Sequence, residues 1–464
     1  MKKQFLSFLL LISLAVGVAA QTAQKQTEAG KNLRKSVAYL ASDALEGRRT
    51  GETGATVASG YVANMFAKYK LKGGVVKNGK RNFLQPFEYK PRNEKGEVLQ
   101  DAKALEAYNV VGILEGNDST LKNEAIVIGA HYDHLGRGGM GSLVANSKEI
   151  HHGADDNASG VAAMIELARQ FAKSKNNKRT LIFIAFGGEE EGLLGSKFYV
   201  NNPAFPIEKT VAMINMDMVG RLKDDKLTVG GIGTASEWEN LVREKNSFYP
   251  NKNDKNKKEA VVLGSKGAIP VEKTDENAVL LSPLPEAYFD LQLNQDGFGP
   301  SDHSSFYGKQ IPVLFFFTGT HLDYHKPSDT ADKINYEGLE KIMNYVGEIA
   351  RSIDQNPTRP TYKVAPTSST GGGRTSFNVT IGVIPGYGDS NDGMPLDGVR
   401  DGSPAAIAGL KAGDKIVKFA GKEVKNVQDY TKILGELKAD TEYEIEVMRG
   451  TERLVFKIKP AARK

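Results

Sequence analysis

A chain of 464 residues is longer than one hydrophobic core usually organises, so two domains plus processing segments are expected. Charged residues make up 25% and hydrophobic residues 40%, a balance that excludes wholesale disorder and a multi-span membrane protein. The net charge of +5 is spread over 61 basic and 56 acidic residues with no basic stripe interleaved with aromatics, which argues against nucleic acid as a partner.

In chain order, residues 1–20 read as a secretory signal peptide: Lys2 and Lys3, the apolar run from Phe5 to Val16, then Val18-Ala19-Ala20 as a small-residue cleavage site. The run is too short to span a bilayer comfortably and no other stretch is long enough. The expectation is therefore an exported chain, periplasmic or extracellular, with no integral membrane segment after signal removal. Cysteine is absent, which removes thiol catalysis and disulfides, so export rests on the signal alone.

Residues 21–354 alternate strand-like and helix-like segments, the pattern of an α/β layered fold. A helix is expected through Val57, Tyr61, Met65 and Phe66. Strands are expected at 109–114, 125–130, 180–186, 211–216 and 311–317, several of them near-continuous apolar runs of the kind covered on both faces. Further helices are expected where Val161, Ile165, Ala168 and Phe171, and then Leu339, Ile342, Val346, Ile349 and Ile353, recur at helical spacing. The Lys- and Asn-rich run 251–258 reads as a solvated loop, inside a stretch, 222–293, that shapes the pocket without disclosing its selectivity. Residues 355–376, rich in Pro, Thr, Ser and Gly, read as an exposed linker to a small domain, 377–464.

Polar residues able to bind metal follow directly on the buried strands. His131-Tyr132-Asp133 ends the run AIVIGA, Glu189-Glu190 lies just beyond TLIFIAF, and Asp217 closes VAMINM. In an open α/β sheet ligands bind outside the carboxyl ends of the strands, so these positions can converge on one crevice. The loop GADDNASG from Gly153 and the segment YHKPSD from Tyr324 complete the set. All seven histidines lie between His131 and His325. His131 and His325, each beside a strand end and near an acid, are read as ligands, whereas His134, His151, His152 and His321 are read as structural.

The strings AHYDH, GADDNASG, FGGEEEGLLGS, INMDMVG, SDHSSF and DYHKPSDT, in this order, resemble the co-catalytic dizinc aminopeptidases, a family of zinc exopeptidases related to glutamate carboxypeptidases, glutaminyl cyclases and the transferrin receptor ectodomain. The early segment LASDALEGRRTGETG resembles that family's usual entry. The resemblance implies a mixed, mostly parallel central sheet flanked by helices, of the phosphorylase/hydrolase-like kind, and two zinc ions. His131 and Asp217 would serve one ion, Glu190 and His325 the other, and Asp156 would bridge them, with Asp155 the alternative register. Three carboxylates and a shared hydroxide would balance the four positive charges, and the donor set leaves positions open for water and substrate. Glu189 would be the general base, and Glu191 would stand outside. A cis peptide is implied after Asp156. Asp133 is expected to accept a hydrogen bond from the second nitrogen of His131; Asp329, Asp302 and His303 are expected to support the site or to be turn and capping residues.

The segment from Phe377 onward, with IGVIPGY and GSPAAIAGLKAGDKI, resembles a PDZ domain, a small β-sandwich or barrel. Such domains add an extended peptide as a strand and receive its terminal carboxylate in a backbone nest, here at Gly382 and Val383. A module that merely packs on the peptidase is the alternative. The function implied is a secreted, zinc-dependent aminopeptidase acting on the amino ends of peptides. Carboxypeptidase action, with Arg221 or Lys326 as the pocket cation, and glutaminyl cyclase activity are the alternatives on the same fold. A peptide-binding scaffold without catalysis is the alternative of another class.

Overall fold

The computed structural model describes residues 27–247, 288–365 and 379–462, apart from 78, 92–98, 100, 140, 143, 145–146, 320, 386–391, 400–401, 412 and 426. The signal sequence and the run 251–258 lie outside the described residues.

The five apolar runs are strands, and they are neighbours. Thr180–Phe186, Ala125–His131, Thr210–Met216 and Val313–Phe317 stand side by side in that order, all parallel, as the centre of a nine-stranded mixed sheet. The first three bury every residue. That is why they read as unbroken apolar runs: neither face meets water. Antiparallel strands complete the sheet, with Leu105–Leu114 beside Thr180–Phe186 and Lys226–Gly230 beside Val313–Phe317. Asp290–Leu293 lies outermost, parallel to Lys226–Gly230.

Each face has its own core. Ile126, Ile128 and Ala130 pack against the helices Glu28–Leu40, Thr53–Lys68, Gly160–Ser174 and Tyr336–Gln355, while Ala125 and Val127 face the opposite side, with Tyr199 and Phe306. This is the two-residue alternation of a strand put to use on both sides. The last helix buries Leu339, Ile342, Val346, Ile349 and Ile353, the stripe expected of it, and the Asn335 side chain caps its start by accepting from the Gly338 N–H. Its far end is fastened to the sheet by Asp354, whose carboxylate accepts the Lys178 and Arg179 amides, and by the buried Arg179 guanidinium, which donates to the carbonyls of Ile353, Asp354 and Asn356.

Several elements go beyond the sequence expectation. The edge strand Leu84–Tyr89 carries Pro86 and alternates in burial, as an edge strand tolerates. The strand expected at 109–114 begins at Leu105. Residues 361–365, inside the stretch read as linker, lie on the large domain: Tyr362 bridges Ala235, Lys363 donates to the Thr234 carbonyl, and Ala365 donates to the Tyr307 hydroxyl. No described helix is long and apolar enough to cross a membrane.

The small unit is an antiparallel sheet in the order Val383–Pro385, Met394–Val399, Lys415–Phe419, Tyr443–Arg449, Glu452–Ile458, with helices Pro404–Ala408 and Val427–Glu436. Its core, including Ile381, Met394, Leu396, Ile416, Phe419, Ile445 and Val447, is separate from those of the large domain.

Candidate metal centre

Each candidate residue reaches the site from the carboxyl end of a parallel strand or from the loop after it. His131 is the last residue of its strand, Asp217 follows Met216 and donates its N–H to the Phe316 carbonyl, and Glu189 and Glu190 follow the strand ending at Phe186. Asp156 lies in an irregular turn, Ala154–Ser159, ahead of the helix Gly160–Ser174, and the Asp156–Asn157 peptide is cis. The Asn157 side chain fixes that turn to the neighbouring strand end: its amide donates to the Met216 carbonyl and its oxygen accepts the Gly160 and Met218 amides. His325 sits at φ 53° with its ring stacked on Tyr324 and its Nδ1 held by the Gly141 carbonyl at 2.7 Å.

The five side chains converge. Asp156 Oδ1 lies 3.3 Å from His131 Nε2, and Asp156 Oδ2 lies 3.2 Å from His325 Nε2. His131 Nε2 is also 3.2 Å from Asp217 Oδ1, and His325 Nε2 is 3.2 Å from Glu190 Oε2. One carboxylate thus turns one oxygen toward each of two imidazole–carboxylate pairs. Ligand atoms about 2.0–2.2 Å from a single tetrahedral ion stand about 3.3–3.5 Å apart, so the separations suit a metal between each pair. The donor types, imidazole nitrogen and carboxylate oxygen, are those zinc takes. Asp155 is elsewhere: its carboxylate accepts the Gly220 N–H at 2.6 Å and lies 3.2 Å from His321 Nε2.

The charge balance points the same way. Asp133, Asp155, Asp156, Asp217, Asp302 and Asp329 are all buried here, with Glu189 and Glu190 nearly so. Buried carboxylates are costly unless paired or bound to a cation. Burial pushes the Glu189 carboxyl well above its ordinary range; His131 opposes this, and Glu190, Asp217 and Asp302 reinforce it. Burial likewise lifts Asp302 to about 7. For Glu190, burial is outweighed by His325 and by hydrogen bonds from His134 and His325, leaving it at about 2.

One expectation is corrected. The Asp133 carboxylate stands 3.8 Å from His131 Nδ1, too far for a hydrogen bond, and that nitrogen lies 3.2 Å from the Asp133 backbone carbonyl instead. The carboxylate accepts the Thr50 hydroxyl at 2.8 Å and the amides of Glu189 and Glu190 at 3.1 and 3.3 Å. It orients the acidic pair in the loop after the neighbouring strand, and the carbonyl orients the imidazole. Asp329 supports the turn at Asp156: its Oδ2 accepts the Asp155 and Asp156 amides at 2.8 and 3.1 Å. Glu191 points away, to Arg49. His303 is buried and stacked on Phe315, and burial lowers its imidazole to about 3. His151 and His152 bond to Ser142 and Asp43.

Two residues at the centre were not singled out as functional from sequence. Arg48, fully buried in the LEGRRTG segment, donates from Nε to the Tyr132 carbonyl and from its other nitrogens to the carbonyls of Leu40, His152 and Gly153. His134 lies against Glu190. Its position in AHYDH, three residues beyond His131, was the available signal.

An acid bridging two imidazole–carboxylate pairs at the carboxyl edge of an α/β sheet defines a candidate two-metal centre. The peptidase family M28 model matches residues 109–350, just over half of the chain, and a PDZ domain model matches 381–459. The chain belongs to peptidase family M28 and carries a PDZ domain behind it. It is 28% identical over 234 residues to the uncharacterized protein YfbL of Escherichia coli, covering 48% of this chain and 64% of that one. To the aminopeptidase YwaD of Bacillus subtilis it is 35% identical over 141 residues, 28% of each. The chain thus spans less than two-thirds of the length of these curated relatives. The solved glutaminyl cyclase of Bacteroides thetaiotaomicron aligns at TM-score 0.49 and 16% identity, over 69% of this chain and 96% of its own.

Proposed function

We propose that this chain is an exported zinc aminopeptidase that holds two zinc ions, one at His131 and Asp217, the other at Glu190 and His325, with Asp156 shared between them. The observation that carries the reading is the Asp156 carboxylate, one oxygen toward each imidazole. A pair of such ions supplies Lewis acidity for the scissile carbonyl and lowers the pKa of a bound water. The chain's own residues do the rest. Glu189, whose Oε2 lies 4.0 Å from His131 Nε2, accepts a proton from the attacking water and returns it to the leaving amine. Asp133 holds Glu189 and Glu190 in place through their amides.

The surplus of carboxylates suits a substrate that brings a positive amino terminus. A carboxypeptidase needs a cation in the pocket, and the Arg221 guanidinium is already paired with Asp323 at 2.8 Å and lies 3.5 Å from Asp329. In the small unit, Gly382 and Val383 lead into the edge strand Val383–Pro385, where an extended peptide would add to the sheet and place its carboxylate.

The test uses purified full-length chain and peptides blocked at one end or the other, with release followed by mass spectrometry. Amino-terminal residues should be released from carboxyl-blocked peptides, release should stop with a chelator, and metal analysis should find two zinc ions per chain. Release only from amino-blocked peptides would sink the aminopeptidase reading. Glu189→Gln should keep both zinc ions and lose turnover by about 100- to 10,000-fold; a variant that turns over normally would remove Glu189 from the chemistry.

A further inference from the structure

His134 is among the most enclosed groups of the centre, with 1% of its surface exposed. Its Nδ1 lies 2.9 Å from Glu190 Oε1. Glu190 therefore stands between two imidazoles, with Oε2 toward His325 at 3.2 Å and Oε1 toward His134. His134, Asp156 and Glu190 lie close enough together to hold an ion, as do His131, Asp156 and Asp217, and His134 is therefore either a ligand itself or a support for one.

Two observations decide what His134 does there. The first is distance: Nδ1 is 3.9 Å from Asp156 Oδ2 and 2.9 Å from Glu190 Oε1, one longer and one shorter than the roughly 3.3–3.5 Å between ligands of one tetrahedral zinc ion. The second is proton placement. An ionised carboxylate only accepts, so a nitrogen at 2.9 Å must carry the hydrogen. The other ring nitrogen, Nε2, is buried with no hydrogen-bond partner among the described residues, and a bare lone pair there leaves no N–H unsatisfied. A Cβ on residue 153 would come within 2.6 Å of the imidazole ring, so the ring packs where only a glycine leaves room for it.

We propose that His134 is a positioning residue for the second metal: its Nδ1–H fixes Glu190 Oε1 and so presents Oε2 to the ion shared with His325 and Asp156. The proposal rests on the paired-metal reading above. It makes the two metal positions unequal, because one carboxylate ligand is locked by an imidazole and Asp217 is not. Losing a partner of this kind typically costs 10- to 100-fold in metal affinity.

The experiment measures zinc binding by competition with a chromophoric chelator on the full chain, together with zinc content after dialysis. His134→Leu removes the donor. It should keep one tight zinc and weaken the other by about 10- to 100-fold. His134→Asn places an amide N–H where Nδ1 stands and should restore the second zinc, although an amide is a poor zinc ligand. His134→Gln places its amide toward the Nε2 position and should behave like Leu; it serves as the deletion variant if Leu does not fold, as judged by circular dichroism. Two zinc ions bound as tightly as by the unaltered chain in both Leu and Gln variants would overturn the proposal. Failure of Asn to restore binding would overturn it too, making His134 a direct ligand. An unaltered chain that takes up no zinc would instead sink the paired-metal reading, and this proposal with it.

Discussion

Histidines near a metal site differ in what surrounds them, and His303 shows how burial alone sets a behaviour. Its ring lies 4.4 Å from that of Phe315, tilted by 18°, with Gly299 close to its Nε2. Burial lowers its imidazole from 6.5 to about 3. The unfolded chain takes up a proton as pH falls below about 6.5, and the folded chain refuses it until about pH 3, so this group removes stability as pH falls through that window. The full effect is of the order of 5 kcal/mol. His303→Phe keeps the ring on Phe315 and abolishes the titration. Urea unfolding at pH 7 and pH 4, both in chelator so that metal release does not contribute, should show the variant losing less stability than the unaltered chain; equal losses would contradict a neutral buried His303. At this same scale the ligand types were legible, because imidazoles and carboxylates directly after apolar runs are visible in one dimension. The partners of Asp133 were not. Whether a carboxylate meets an imidazole two residues back or the amides of a loop after another strand depends on backbone directions that residue spacing does not encode.

Elements carry the site by being fastened to each other. Arg48 joins three of them: the helix ending at Leu40, the strand end at Tyr132 and the loop at His152 and Gly153 that leads to Asp156. Its side chain is fully buried, and burial lowers its guanidinium to about 10. Replacing it with Met fills similar space but leaves carbonyls without donors, at about 1–3 kcal/mol for each group left unsatisfied. Arg48→Met should lower unfolding free energy by at least about 3 kcal/mol in urea titrations. It should also weaken zinc binding through the displaced Asp156 turn. The Gly153 carbonyl keeps the Ala158 N–H, so a variant as stable as the parent would show that the Leu40, Tyr132 and His152 carbonyls find other donors. The helices and central strands were legible because each is a local pattern of burial, at period 3.6 or as an unbroken apolar run. The helix Glu28–Leu40 buries Leu33, Val37 and Leu40 at helical spacing, a stripe of only three apolar residues and too short to stand out in the sequence. The strands Lys226–Gly230 and Asp290–Leu293 were missed for another reason: 59 residues of sequence lie between them, and only the sheet makes them neighbours.

The whole molecule is two units with separate cores. In the small one, Asp414 is buried and receives Arg449 on both oxygens at 2.7 and 2.8 Å, while the same guanidinium donates to the Gly409 carbonyl. Removing Arg449 takes two charge-assisted hydrogen bonds from the Asp414 carboxylate, which keeps the Lys411 N–H as donor. Arg449→Ala should therefore lower the melting of the small unit alone, seen in calorimetry as one transition moving while the other, raised by zinc, stays. A common shift of both would mean that the two units unfold together. By itself the sequence determined the residue types of the centre, their order and their place after the strands, because burial patterns and strand ends are local properties of the chain. The tertiary structure decided which groups meet: His134 and Glu190 across 56 residues, His325 and Gly141 across 184, Asp155 turned aside and Asp156 turned in. Those choices follow from the order and twist of strands in the sheet, which bring distant segments to one edge at ångström precision that no local pattern carries.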